Sequence, residues 1–321
     1  ILILDEKKMS DIVPNLNNIY DEPFADSSQI PTYLLCNFAS KFSKVSLSGD
    51  GGDELFGGYN RYFYTESVWS KVKIIPKPFR KYFFNIILNT PNSLFIFIQL
   101  IINRLSSTRD LKLFSEKIKK LSTKILNSNN KKELYISFLK EWETEDIQIT
   151  PDSLNYLKLF NNSFSENKNF SENMMIFDMI TYLPNDILTK VDRASMSNSL
   201  EVRAPFLSKD LLKLSFSLPI EKKIKGNNGK IILKEMLYKY LPNKLVDLPK
   251  QGFGIPLGEW INTSLNDWIF DNINTIKRKK QNYINIDVLL NNLKIHKESN
   301  INLSSKLWPA LIFCDWYNKN F

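Results

Sequence analysis

Ser48-Gly49-Asp50-Gly51-Gly52-Asp53-Glu54-Leu55-Phe56-Gly57-Gly58-Tyr59, entered from the apolar run Val45-Ser46-Leu47, is the stretch on which the fold turns. Glycine fills five of its twelve positions, against ten in the whole chain of 321 residues. A strand that breaks into such a loop lets backbone N–H groups come close to a bound ligand. Asp50, Asp53 and Glu54 lie within it. Hard oxygen donors of this kind suit Mg2+, which shares its coordination with substrate phosphates. A lone Gly-Asp-Gly would read as a surface turn; the length and order of this stretch favour a ligand loop.

Working outward, Ser10-Asp11 reads as a helix start before Ile12, Val13, Leu16 and Ile19. Pro31 reads as the first position of a second helix carrying Tyr33, Leu34, Leu35, Phe38 and Ala39. Val45–Leu47 reads as a short buried strand, and residues 1–4 as another. A helix between two apolar strands is the logic of a parallel α/β sheet, whose ligands sit beyond the carboxyl ends of its strands. After Arg61 the strand signals fade and prolines cut the chain into pieces. Helical periodicity marks residues 79–88, 111–121, 133–142, 174–183, 207–218, 230–240 and 306–317. The expected fold class is α/β, with a small remnant parallel sheet in a large, mostly helical body. No internal repeat is visible.

Composition excludes several classes. Hydrophobic content of 43% and aromatic content of 13% describe a globular chain. The net charge of +9 is spread through Lys-rich helices, and Asn127-Ser128-Asn129-Asn130-Lys131-Lys132 reads as a solvated loop, so no nucleic-acid partner is expected. Cys36 and Cys314 read as buried free thiols in a reducing compartment. His296 is the single histidine, which rules out a histidine-dominated metal site; its Lys-rich surroundings read as surface. The apolar run 94–102 is too short to span a bilayer and reads as a buried helix. No membrane partner is expected, and a cytoplasmic location is the default.

Several motifs together carry a resemblance. Ser48 to Tyr59, continued by Asn60-Arg61-Tyr62, resembles the signature loop in the C-terminal synthetase domain of the glutamine-hydrolysing asparagine synthetase family. Tyr20-Asp21-Glu22-Pro23-Phe24-Ala25-Asp26-Ser27-Ser28-Gln29-Ile30-Pro31 resembles the family segment just before that loop. Leu183-Pro184-Asn185-Asp186-Ile187-Leu188-Thr189-Lys190-Val191-Asp192-Arg193-Ala194-Ser195-Met196, then Ser199 to Leu207, agrees in order. Gly229-Lys230, Leu241-Pro242 and Lys250-Gln251-Gly252-Phe253-Gly254-Ile255-Pro256-Leu257 with Trp260 follow. The likeness spans about residues 10 to 262.

The resemblance implies an ATP pyrophosphatase-type domain divided as 1–60 (sheet and site loop), 62–176 (helical insertion), 177–262 (helical site motifs) and 263–321 (C-terminal helices). It implies an ATP-dependent amide ligase with ATP and Mg2+ as cofactors. Aspartate would become β-aspartyl-AMP with release of pyrophosphate, and ammonia drawn from glutamine would then give asparagine. In this picture Ser48, Gly49, Asp50 and Gly51 contact the acyl-adenylate, and Asp53 holds Mg2+. Lys230 and Lys250 face the pyrophosphate, and Lys250 is the catalytic cation, with Asp50 placed to hold it. Glu54 reads as structural, reaching back to backbone N–H groups. Asp186 and Lys190 read as a stabilising pair four residues apart on a helix. Arg193 with Asp192 reads either as facing the substrate or as an ion-paired scaffold. Ser208 stands where the family commonly has Asp, and it reads as the cap of a helix starting at Lys209.

Two family features are missing from the sequence: a glutaminase domain with its N-terminal nucleophilic Cys, and the phosphate-binding loop Ser-Gly-Gly-x-Asp-Ser. The resemblance therefore implies an N-terminally truncated synthetase, inactive alone, that depends on that domain and loop; a homodimer is compatible with it. Three alternatives stand beside this reading. One is a related amidotransferase acting on a sugar acid or closing a β-lactam. Another is a non-catalytic relic, or a subunit whose site is completed by a separate polypeptide. The last, nucleic-acid binding, rests on charge alone.

Overall fold

The computed structural model describes residues 6–91, 94–95, 111–142, 147, 155–248, 252–279, 281, 283–299 and 301–321. The strand expected at residues 1–4 and most of the apolar run at 94–102 lie outside them. Two compact units divide the chain. One comprises residues 1–59, 142–154 and 175–321; the other comprises 60–141 and 155–174.

In the first unit the helices α1 (Glu6–Ser10), α2 (Leu16–Tyr20) and α3 (Gln29–Ala39) lead into strand β1 (Val45–Leu47). Ser10 closes α1 instead of opening the helix expected there, and the chain continues through the 3-10 turn Val13–Asn15, where Pro14 has no N–H for an α-ladder. Pro31 is not the first residue of α3, which opens at Gln29. Proline is tolerated throughout the first turn, where amide donors have no intrahelical acceptor. After β1 come α4 (Gly52–Phe56) and, in the second unit, α5 (Arg61–Val72), α6 (Lys77–Asn89), α7 (Leu111–Leu126), α8 (Lys131–Leu139) and α9 (Tyr156–Ser163). Helix α10 (Phe170–Ile180) ends in a π-turn at Leu183–Leu188, followed by α11 (Thr189–Met196) and strand β2 (Glu201–Arg203). The rest is helical: α12 (Lys209–Ser217), α13 (Ile231–Leu237), α14 (Asn243–Val246), α15 (Leu257–Asn262), α16 (Asn266–Arg278), α17 (Ile286–Glu298) and α18 (Ser304–Asn320).

β1 and β2 form a parallel two-stranded sheet in the register Val45↔Glu201, Ser46↔Val202, Leu47↔Arg203. The α/β class with a small parallel sheet holds, but β1 is not buried. Val45 is 50% and Leu47 75% exposed, whereas parallel strands are ordinarily covered on both faces. Ser208 stands at the N-cap of α12 with extended backbone, yet its side chain makes no capping hydrogen bond.

The core of this unit gathers Val13, Leu16, Tyr20 and Ile30 with Trp260, Ile269, Leu289, Trp308 and Leu311. The C-terminal helices thus anchor the segment that precedes the site loop. Buried Asp315 strengthens this: it accepts from Asn17 and pairs with Lys319 at 2.9 Å. Cys36 and Cys314 are buried free thiols, and burial pushes the Cys314 thiol up to about 12.

His296 corrects the surface reading. It is 5% exposed on α17. Leu303 N–H lies 3.1 Å from Nδ1, and Nε2 lies 3.0 Å from the Gly258 carbonyl. The backbone N–H can only donate, so Nδ1 accepts and Nε2 carries the proton.

The second unit packs an aromatic cluster in which Tyr135, Phe160 and Phe170 meet with centroids 5.1–6.4 Å apart. A separate apolar group joins Val72, Phe84, Ile125 and Leu134. Among the described residues no helix is long and apolar enough to cross a membrane.

Candidate active site

The glycine stretch leaves β1 at its carboxyl end. Ser48 N–H donates to the Arg203 carbonyl at 2.8 Å, continuing the ladder by one bond. The chain then turns through Gly51, at φ 86°, into α4. A Cβ at Gly51 would lie 2.3 Å from Leu207 Cδ2, so both conformation and space call for glycine.

Two contacts tie the end of α4 to the later lysine motif. Lys230 N–H donates to the Phe56 carbonyl at 2.9 Å, and Lys230 Nζ lies 3.1 Å from Asp53 Oδ1. Both side chains are about a quarter to a third exposed. Lys230 adopts a left-handed backbone, φ 57°. Gly58 makes the pair sterically feasible, since a Cβ there would sit 1.9 Å from Asp53 Oδ1.

A cavity of about 560 Å³ opens beside the loop. Ser48, Gly49, Asp50, Gly51, Asp53, Glu54 and Tyr59 line it from the loop, Thr32, Leu35 and Cys36 from α3, and Lys190 and Val191 from α11. The structure thus brings the loop residues singled out in sequence around one space. The Ser48 hydroxyl oxygen is buried there and has no hydrogen-bond partner among the described residues, an arrangement that a ligand would complete. Burial, with a further push from the Asp50 charge, raises the Cys36 thiol. Lys250 lies outside the described residues. Phe253, 60% exposed, reaches the cavity lining from the same segment.

Glu54 is structural, as expected, and its carboxylate accepts from its own backbone N–H in the first turn of α4. It is 1% exposed and accepts the Tyr59 hydroxyl at 2.8 Å. Burial raises its carboxyl despite that bond, and burial likewise raises the Tyr59 phenol.

A second group was not singled out from sequence. Lys190 is buried and donates to Asp26 Oδ2 at 2.5 Å and to Ser28 Oγ at 2.9 Å. Its expected pairing with Asp186 is present but longer, 3.8 Å. Arg193 faces Asp21 at 3.6 Å, both largely solvent-exposed, which favours the scaffold reading of that residue. Asp26-Ser27-Ser28 is itself folded by side-chain-to-backbone bonding, with Ser28 N–H donating to Asp26 Oδ1 at 2.9 Å. That turn chemistry was the one signal in the sequence that could have located the group.

The family model of asparagine synthase matches residues 1–318. The chain belongs to the asparagine synthase family. It is 29% identical to asparagine synthetase [glutamine-hydrolyzing] 1 of Bacillus subtilis, over 99% of this chain and 47% of that protein. It is 26% identical to a putative asparagine synthetase [glutamine-hydrolyzing] of Mycobacterium bovis, over 95% and 44%. A shorter match, 30% over 60% of this chain and 33% of the relative, joins it to a putative asparagine synthetase [glutamine-hydrolyzing] 2 of Methanocaldococcus jannaschii. The chain thus spans about half the length of the relatives it matches over nearly its whole extent. No solved structure matches it significantly. Within the asparagine synthase family frame, the cavity at the end of β1 is the candidate site.

Proposed function

We propose that this chain forms the carboxylate-activating half of an ATP-dependent amide ligase that makes asparagine from aspartate. The observation that carries the reading is the cavity at the carboxyl end of β1, lined from the glycine loop by Ser48, Gly49, Asp50, Gly51 and Asp53. The glutamine-hydrolysing relatives support the choice of chemistry.

In this reading the backbone N–H groups of residues 49–51 and the Ser48 hydroxyl hold the acyl-adenylate, the Ser48 N–H being taken by the Arg203 carbonyl. Asp53 and Lys230 face the phosphates, and Lys250 supplies a positive charge as pyrophosphate leaves. Mg2+ commonly takes one or two protein carboxylates and completes its shell with phosphates and water. Asp53, with Asp50 in the same loop, fits that donor count. Among the described residues no cluster of three His, Cys, Asp or Glu side chains could hold a metal without such help. When bound, the ion would neutralise phosphate charge and assist the departure of pyrophosphate. Tyr59 and Glu54, hydrogen-bonded to each other, line the cavity beside the loop. Phe253 stands where a side chain could limit water access, as hydrolysis of an acyl-adenylate would waste ATP.

The exposed side chains of β1 support a further point, that the site is completed by polypeptide outside this chain. The test is aspartate-dependent exchange of labelled pyrophosphate into ATP by the complete synthetase carrying this chain. Exchange with aspartate supports the reading; exchange only with a sugar acid or another carboxylate assigns the related amidotransferase chemistry instead. An enzyme that exchanges with no carboxylate refutes activation by adenylation.

A further inference from the structure

Lys190 is 8% exposed, yet it lines the cavity beside Val191 and across from the loop. Its ammonium has three N–H donors. Asp26 Oδ2 and Ser28 Oγ take two of them, at 2.5 and 2.9 Å. Asp186 Oδ1, at 3.8 Å, is beyond hydrogen-bond reach. A donor therefore remains for the cavity side. Asp26 and Ser28 do not line the cavity; they grip the ammonium from behind. A lysine held in this way loses little side-chain freedom when it meets a ligand.

Charge makes the position selective. The described lining otherwise carries Asp50, Asp53 and Glu54, and Lys190 is its one cation. Within the described lining, an anionic substrate group meets the loop carboxylates, of which Asp53 is already paired with Lys230, and finds its cation at Lys190. In the proposed reaction one substrate carboxylate must approach the nucleotide at the Asp53–Lys230 end. Lys190 hangs from α11 and is braced by the turn before α3, elements that carry none of the proposed nucleotide residues. The substrate group available to it is the carboxylate that does not react.

We propose that Lys190 receives the α-carboxylate of the amino-acid substrate and so selects aspartate over amines that carry the reacting carboxylate alone. The assignment rests on the proposed function. It separates Lys190 from a merely structural ion pair, because a structural pair has no reason to distinguish one small carboxylate from another.

Aspartate and β-alanine supply the test: they share the reacting carboxylate and differ by the α-carboxylate. The measurement is kcat/KM for pyrophosphate exchange with each compound, using the complete synthetase and its Lys190→Met and Lys190→Arg variants. Loss of a hydrogen bond to a charged group predicts that Lys190→Met lowers the preference for aspartate roughly tenfold or more. The change should appear in the KM for aspartate, with the KM for ATP unmoved and part of the preference restored in Lys190→Arg. An equal fall for both compounds, or no change for either, overturns the proposal. Should Lys190→Met fail to fold, the preference measured in Lys190→Arg decides. A planar guanidinium in place of a point charge must alter it if the contact exists, and an unaltered preference overturns the proposal. A wild-type enzyme without any carboxylate-dependent exchange would fail the functional reading itself, a result distinct from an unchanged preference.

Discussion

Lys190 Nζ and Asp26 Oδ2 meet at 2.5 Å across 164 residues of sequence, fastening α11 to the turn that starts α3. Burial raises the Asp26 carboxyl, but the Lys190 charge and the hydrogen bonds from Lys190 and Ser28 outweigh it and hold the group below its ordinary 3.8. A carboxylate depressed in the folded state contributes stability above its unfolded value, lost as pH falls through the folded one. Asp26→Asn should therefore cost about 3 kcal/mol at neutral pH, as breaking a largely buried pair does. The gap between variant and wild type should close as the pH falls below 3.8. Urea unfolding of both proteins at pH 7 and pH 3 checks this; a constant gap would mean that the ion pair is not the source.

His296 sets a second test, independent of the site. The imidazole joins the start of α15 to the N-cap of α18 through Gly258 and Leu303. Replacing it with Ala leaves a half-buried N–H and a half-buried carbonyl without their partner, so His296→Ala should lose about 1–2 kcal/mol. His296→Asn can still offer an oxygen to Leu303 N–H and should recover part of that loss. A loss below about 0.5 kcal/mol, the size of an ordinary surface change, would restore the surface reading.

What could be read from sequence was local. The glycine stretch is legible because conformation and ligand approach are decided within a dozen neighbouring residues. β2 escaped notice because Glu201-Val202-Arg203 has no apolar run; it is a strand through its pairing with Val45–Leu47. Lys190 reads from sequence only as the partner of Asp186, since its burial against Asp26 and Ser28 depends on a distant turn. His296 was misread from its lysine neighbours, although Leu289, Leu293 and His296 repeat at the spacing of one buried helical face. Burial of β1 was expected from the apolar character of Val45 and Leu47, but apolarity records what a residue can pack against. In this chain nothing described covers them fully.

Lys230 separates folding from function. Its left-handed backbone, φ 57°, costs a non-glycine residue about 1–2 kcal/mol, and its ion pair with Asp53 is partly exposed and so modest in return. Lys230→Gly should therefore unfold at the same or higher urea concentration than wild type. If Lys230 faces phosphates, the same variant should raise the KM for ATP in pyrophosphate exchange by roughly tenfold or more, the loss of one charge-assisted contact. A variant that is more stable and equally active would remove Lys230 from the site.

Leu47 tests the incompleteness of the site. It is 75% exposed at the end of β1, immediately before Ser48. An exposed side chain contributes little to the chain's own stability, so Leu47→Glu should shift the unfolding free energy of the isolated chain by less than about 0.5 kcal/mol. If further polypeptide packs on β1 in the complete enzyme, the same charge would be forced into an apolar contact there and should destabilise the assembled protein far more. The matching expectation is that the isolated chain releases no pyrophosphate from MgATP and aspartate, whereas the complete enzyme does. Equal, small effects of Leu47→Glu in both settings would show that β1 stays exposed. Turnover by the isolated chain would show that the cavity beside Ser48 needs no completion.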